Sequence, residues 1–173
     1  KYAKEFSIPT ELVWGIMRAE SHYKRDVISP VGALGLMQVM PVTASKISGF
    51  LGEKDFQTKL LLTPDPAIKI GSKYLQRLMK KFEGNIALVA ASYNAGPHRV
   101  KSWTARFGQL DLDEFIEHIP YLETRNYVKK VMTNFNVYSR LYNGKKEHML
   151  STADSLKVRF TDAVHMKETW EDI

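Results

Sequence analysis

Apolar residues recur at helical spacing along most of the chain, and glycines and prolines cut that pattern into segments. The first predicted helix covers 7–20, with Leu12, Val13, Ile16 and Met17 in one stripe. Ser7 or Thr10 is its expected cap, and Pro9 suits its first turn. From His22 to Pro41 the periodicity breaks at Ser29-Pro30, Gly32 and Gly35. The run from Leu34 to Pro41 is apolar but interrupted by glycine, which predicts compact irregular structure with a short strand. A helix over 43–51 follows. Thr63-Pro64-Asp65-Pro66 starts the next, which carries Ile68, Leu75, Leu78 and Phe82 on one face and stops at Gly84. Asn85 is a cap for Ile86-Ala87-Leu88-Val89-Ala90-Ala91, apolar on all sides and therefore the expected buried central helix. It ends at Asn94-Ala95-Gly96-Pro97. A short helix holds Val100 and Trp103, another covers 111–118 before Pro120, and the last long one covers 122–142, stopped by Gly144. It carries Val128, Val131, Phe135, Tyr138 and Tyr142 near one face. The expectation is a mainly α domain over 1–144 and a C-terminal tail over 145–173, in which Lys157 to Phe160 alternates like a strand.

Composition narrows the function classes. A length of 173 residues, 44% hydrophobic and 25% charged, suits one globular domain with its own core. The absence of cysteine excludes a disulfide scaffold, a thiolate metal site and a cysteine nucleophile. No apolar run reaches the roughly 18 residues that a membrane span needs. Lys1-Tyr2-Ala3-Lys4-Glu5 is neither an initiator methionine nor a signal peptide, so the chain is expected to be processed or cut from something longer. A net charge of +6 favours an anionic partner, or else is simply a solvated cationic surface. The lysines and arginines are scattered, without a P-loop, zinc-finger or RNP-like signature, and the aromatic residues keep core spacing, which argues against nucleic acid.

Four places carry candidate chemistry. Glu20 ends the apolar stripe of the first helix, which faces it toward the core. Desolvation there makes a carboxyl a competent general acid, although a helix-end pair with Arg18, Arg25 or a lysine would also explain it. Gln38 is a polar amide in an apolar loop, and either lines a cleft or ties down its own loop. Met37 and Met40 are a soft groove wall or simply core. Tyr93 and Asn94 close the buried helix, as ligand groups or as a C-cap with Asn94 left-handed and Gly96 as the stop. Glu123 begins the last helix, where a carboxylate is favourable without any further role. The histidines show no metal spacing, and Ser21 lies in no nucleophile motif.

These places occur together and in order. Glu20-Ser21, Ser29-Pro30-Val31-Gly32-Ala33, the run Gly35-Leu36-Met37-Gln38-Val39-Met40-Pro41-Val42-Thr43-Ala44, and Ser92-Tyr93-Asn94-Ala95-Gly96-Pro97 resemble the soluble lytic transglycosylases. The run from Ile119-Pro120-Tyr121 through Glu123-Thr124-Arg125-Asn126-Tyr127-Val128 is similar to the family's last motif. The likeness covers about 7–143, and departs at Ser92, often alanine, and at His98, often a small residue. The resemblance implies a lysozyme-like helical fold and a carbon–oxygen lyase that cuts the MurNAc–GlcNAc β-1,4 bond of peptidoglycan, leaving 1,6-anhydroMurNAc ends. By carry-over Glu20 is the acid and then the base, and Ser29, Gln38, Met40, Tyr93, Asn94, Glu123 and Tyr127 line the sugar cleft. It implies no cofactor, no metal, glycan strands as the partner, a monomer, and a periplasmic or cell-envelope location.

Ordinary glycosidases need two carboxyl groups, and Asp26 is the nearest second one in the sequence. A single-carboxyl route with help from the substrate's acetamido group needs only Glu20. A hydrolytic lysozyme on the same fold, and a non-catalytic peptidoglycan-binding module, are the competing readings.

Overall fold

The computed structural model describes residues 1–53 and 55–143. Lys54, the tail expected over 145–173, its strand-like stretch and the Gly144 stop lie outside the described residues. Among the described residues there are helices α1 (Tyr2–Glu5), α2 (Thr10–Glu20), α3 (Pro41–Phe50), α4 (Pro64–Lys81), α5 (Ile86–Ala95), α6 (Pro97–Phe107), α7 (Leu112–Glu117) and α8 (Leu122–Asn143), with a 3₁₀ turn at Thr58–Leu62. The chain forms two compact units, 1–77 and 78 onward, and α4 runs through the boundary.

In the first unit α2 buries Leu12, Val13, Ile16 and Met17, the stripe that its spacing dictates. The helix begins three residues later than expected. Ser7 is left-handed (φ 53°), Pro9 occupies the N-cap position, and no side chain caps the first turn. A short helix, α1, stands before it, four residues being too few to show helical periodicity. The Tyr2 and Phe6 rings stack at 6.2 Å, and the Tyr2 hydroxyl donates to Asp65 at 2.6 Å, tying α1 to the start of α4.

The strand expected between Leu34 and Pro41 is absent. Leu34 and Val39 exchange two backbone hydrogen bonds, at 3.1 and 3.2 Å, and Leu34 bridges once more to Ile28; no ladder extends from them among the described residues. The Leu34–Val39 pair closes a four-residue loop in which Gly35 (φ 72°) and Gln38 (φ 46°) take left-handed turns. A Cβ on Gly35 would stand 1.8 Å from the Leu61 carbonyl oxygen, so the loop lies directly against the 3₁₀ turn. Gly71 of α4 similarly leaves room for the buried Met37 side chain.

In the second unit α5 is the central helix. Ile86 through Ser92 are all buried, and α5 packs against α6 and α8. The Asn85 side chain accepts from the Leu88 N–H at 3.1 Å, the expected N-cap. Gly96 ends the helix at φ 89°, and the Arg99 guanidinium donates to the Ala95 carbonyl at 2.8 Å. Helix α8 buries Val128 and Val131, but Tyr142 at its far end is 65% exposed, so the expected apolar face continues past the packed part. The joint before α8 is fixed by Arg125, whose Nη2 donates to the Ile119 carbonyl at 2.9 Å. Beside it the Lys129 ammonium, hydrogen-bonded to Glu117, holds that carboxyl below its ordinary range.

Candidate active site

Glu20 is the last residue of α2 and is half-buried. The buried stripe of α2 fixes the helix beneath it, and the chain leaves α2 immediately afterwards through two left-handed residues, His22 (φ 51°) and Tyr23 (φ 64°). Left-handed conformations outside glycine are unfavourable and persist only where neighbours hold them. Here the Lys24 N–H donates to the Ser21 carbonyl at 3.1 Å, and the Tyr23 hydroxyl donates to the Trp14 carbonyl at 3.2 Å. The Ser21 hydroxyl is buried, 2.8 Å from the Leu36 carbonyl and 3.1 Å from that of Met17. Ser21 therefore joins the end of α2 to the glycine loop. That role explains a serine with no catalytic partner motif.

Gln38 sits half-buried in that loop. Its Nε2 donates to the Val27 carbonyl at 3.0 Å and to the Gly35 carbonyl at 2.9 Å. Only the nitrogen end of an amide can face two carbonyls, so its orientation is fixed and Oε1 is the end with acceptor capacity to offer. The loop-tying role weighed for Gln38 is thus real, and it leaves the carbonyl end free of that task. Ser29 Oγ accepts from the Ala33 N–H at 2.9 Å, closing the neighbouring turn. The two methionines separate: Met37 is fully buried and Met40 is 40% exposed at the start of α3. Asp26 lies exposed in the loop after α2.

In the second unit Tyr93 and Asn94 are half-buried on the last turn of α5. Asn94 is not the C-cap: the positive φ belongs to Gly96, two residues on. Its Oδ1 accepts from the Thr124 hydroxyl at 2.6 Å, across to α8. Glu123 is exposed in the first turn of α8, where the helix dipole favours a carboxylate, while Tyr127 one turn later is buried. The hydrogen bonds that Ser21 makes to the Leu36 carbonyl and Thr124 makes to Asn94 have no signature in the sequence. A short polar residue beside a candidate carries no spacing signal of its own.

Comparison with known proteins shows the family of the chain. A family model described as the transglycosylase SLT domain matches residues 1–116, and one described as the soluble lytic transglycosylase helical domain matches 118–147. The chain is 38% identical over 156 residues to the soluble lytic murein transglycosylase of Salmonella typhimurium, covering 89% of this chain and 24% of that one. The chain therefore spans about a quarter of the length of that relative. The crystal structure of an inactive glutamate-to-glutamine mutant of the lytic transglycosylase Slt from Pseudomonas aeruginosa superposes with a TM-score of 0.79 at 38% identity, over 84% of this chain and 24% of that one. The 70 kDa soluble lytic transglycosylase from Escherichia coli also gives 0.79, at 39% identity over 86% of this chain and 24% of that one. The helical architecture is thus the lysozyme-like one that these enzymes carry. With a family model spanning most of its length and relatives at this identity, the chain belongs to the SLT transglycosylase domain family.

Proposed function

We propose that this chain is a lytic transglycosylase that cleaves the MurNAc–GlcNAc β-1,4 bond of peptidoglycan without water, with Glu20 as acid and then base. The observation that carries the reading is the placement of Glu20, half-buried at the end of a helix whose next residue is pinned to the Gln38 loop. A carboxyl on a rigid, partly desolvated support can hold a proton for transfer. The names of the relatives, soluble lytic murein transglycosylases, support the substrate class. The Pseudomonas aeruginosa relative became inactive on exchange of one glutamate for glutamine, as expected of an enzyme that depends on a carboxyl.

In this mechanism Glu20 gives its proton to the glycosidic oxygen and the C1–O bond breaks. The acetamido oxygen of MurNAc stabilises the cationic C1, a recognised exception to the two-carboxylate rule. The carboxylate of Glu20 then takes the proton from O6 as O6 bonds to C1, which regenerates the acid and closes the 1,6-anhydro ring. Ser29, Gln38, Met40, Tyr93, Asn94, Glu123 and Tyr127 are assigned to saccharide binding. A net charge of +6 suits a polymer that bears carboxylates, and the reading implies a monomer working in the cell envelope. Asp26, the second carboxyl that a hydrolase would need, stands exposed on its loop, which favours the single-carboxyl route.

Mass spectrometry of a peptidoglycan digest tests this directly. Anhydro-ended muropeptides, each one water lighter than the lysozyme product, are expected. Reducing-end MurNAc as the main primary product would assign the chain to the hydrolases, and no soluble product would leave a binding module.

A further inference from the structure

We propose that Thr124 is a positioning residue that sets the polarity of the Asn94 amide, so that Asn94 offers its Nδ2 protons to an acceptor oxygen of the bound saccharide. The inference rests on the assignment of Asn94 to saccharide binding and adds which atom does the binding.

Threonine hydroxyls inside helices usually bond back to their own helix. Thr104 does so to the Lys101 carbonyl at 2.9 Å, and Thr133 to the Lys129 carbonyl at 2.8 Å. Thr124 instead reaches out of α8 to the side chain of Asn94 on α5, at 2.6 Å. Thr124 is only 2% exposed, so its hydroxyl proton needs an acceptor within the protein. Among the described residues that acceptor is Asn94 Oδ1. A flipped amide would turn Nδ2, which can only donate, toward Thr124 and leave the buried proton with no acceptor. The hydroxyl therefore selects one orientation of the amide.

The consequence falls on the other end. With Oδ1 committed, Asn94 has two N–H donors left, and it stands half-buried, reachable from outside. None of the described residues pairs with them. The support is rigid: Asn94 lies on the last turn of the buried helix α5, and Thr124 lies on a helix packed against it. Such a group recognises neutral oxygen acceptors, the hydroxyl and carbonyl oxygens of an N-acetylated sugar, and cannot pair with an amide N–H, which has no lone pair to offer.

The test measures kcat and KM on purified peptidoglycan, with thermal unfolding alongside, for the 173-residue chain and its variants. Thr124→Val should cut kcat/KM by about tenfold, the scale of one well-formed hydrogen bond. Thr124→Ser, which restores the hydroxyl, should return it to about twofold of the original. In an Asn94→Ala background Thr124→Val should add almost nothing, because its effect passes through Asn94. Asn94→Asp keeps the acceptor for Thr124 and removes the donors; it should fold like the parent and lose activity as Asn94→Ala does, which tests the polarity even where Thr124→Val fails to fold. Parent-like kcat/KM in Asn94→Asp or in Thr124→Val overturns the inference, as does an equal loss from Thr124→Val with and without Asn94. A parent chain that does not turn over peptidoglycan overturns the proposed function as well, whereas an active parent with an indifferent Thr124 overturns this inference alone.

Discussion

The Ser21 hydroxyl lies 2.8 Å from the Leu36 carbonyl, so the residue after Glu20 is bonded directly into the glycine loop that carries Gln38. Both partners come from the first unit, and Ser21 is buried. Removing the hydroxyl strands a carbonyl away from water. Ser21→Ala should therefore cost about 1–3 kcal/mol of stability, the desolvation cost of an unpaired buried acceptor. Its turnover should also fall, because the end of α2 loses its tie to the loop. Denaturant unfolding and turnover on peptidoglycan, measured together, check both; unchanged stability would show that the bond contributes nothing.

Two glycines of the same region should respond very differently to alanine. Gly35 is left-handed, and a Cβ there would meet the Leu61 backbone oxygen at 1.8 Å. Backbone cannot step aside as a flexible side chain can, so Gly35→Ala should exceed about 3 kcal/mol, or fail to fold. Gly32 is also left-handed but has nothing within 4 Å of such an atom. Gly32→Ala should cost only the conformational strain, about 1–2 kcal/mol. Unfolding midpoints of the two variants side by side decide the matter, and equal losses would contradict the packing argument.

Glu20→Gln keeps the side chain's shape and removes its acid. Turnover should drop by about 10² or more, on the scale of general acid catalysis, with the melting temperature held or raised. Circular dichroism melts and product assays on the same preparation check this. Parent-like turnover in the variant would remove Glu20 from the mechanism.

Ser92→Ala should stabilise the protein. Ser92 is fully buried in α5, and its hydroxyl has no hydrogen-bond partner among the described residues. Alanine removes the desolvated group and is the better helix former, which together are worth about 1 kcal/mol. For a chain of this size that is roughly 2–4 °C in melting temperature. A lower melting point would mean that the hydroxyl does find a partner in solution.

The local pattern by itself determined where most helices lie. The stripe Leu12, Val13, Ile16 and Met17 is buried on α2, Asn85 caps α5, and Gly96 ends it, because periodicity, capping and left-handed backbone are properties of neighbouring residues. The motif order from Glu20 to Tyr127 likewise sufficed to point to the family that the comparisons then established. What the sequence misjudged depends on residues far apart in it. The stretch expected as compact irregular structure is a closed loop without the short strand expected in it, since Gly35 approaches Leu61 and Gln38 bonds to Val27, neither of which is a neighbour in the chain. Ser21 and Thr124 acquired their roles only when Leu36 and Asn94 came within hydrogen-bond reach. A hydroxyl away from a helix N-cap has no periodic signal in the sequence. Its partner, and with it the polarity of the amide beside it, is chosen by tertiary packing, which decides which buried proton meets which lone pair.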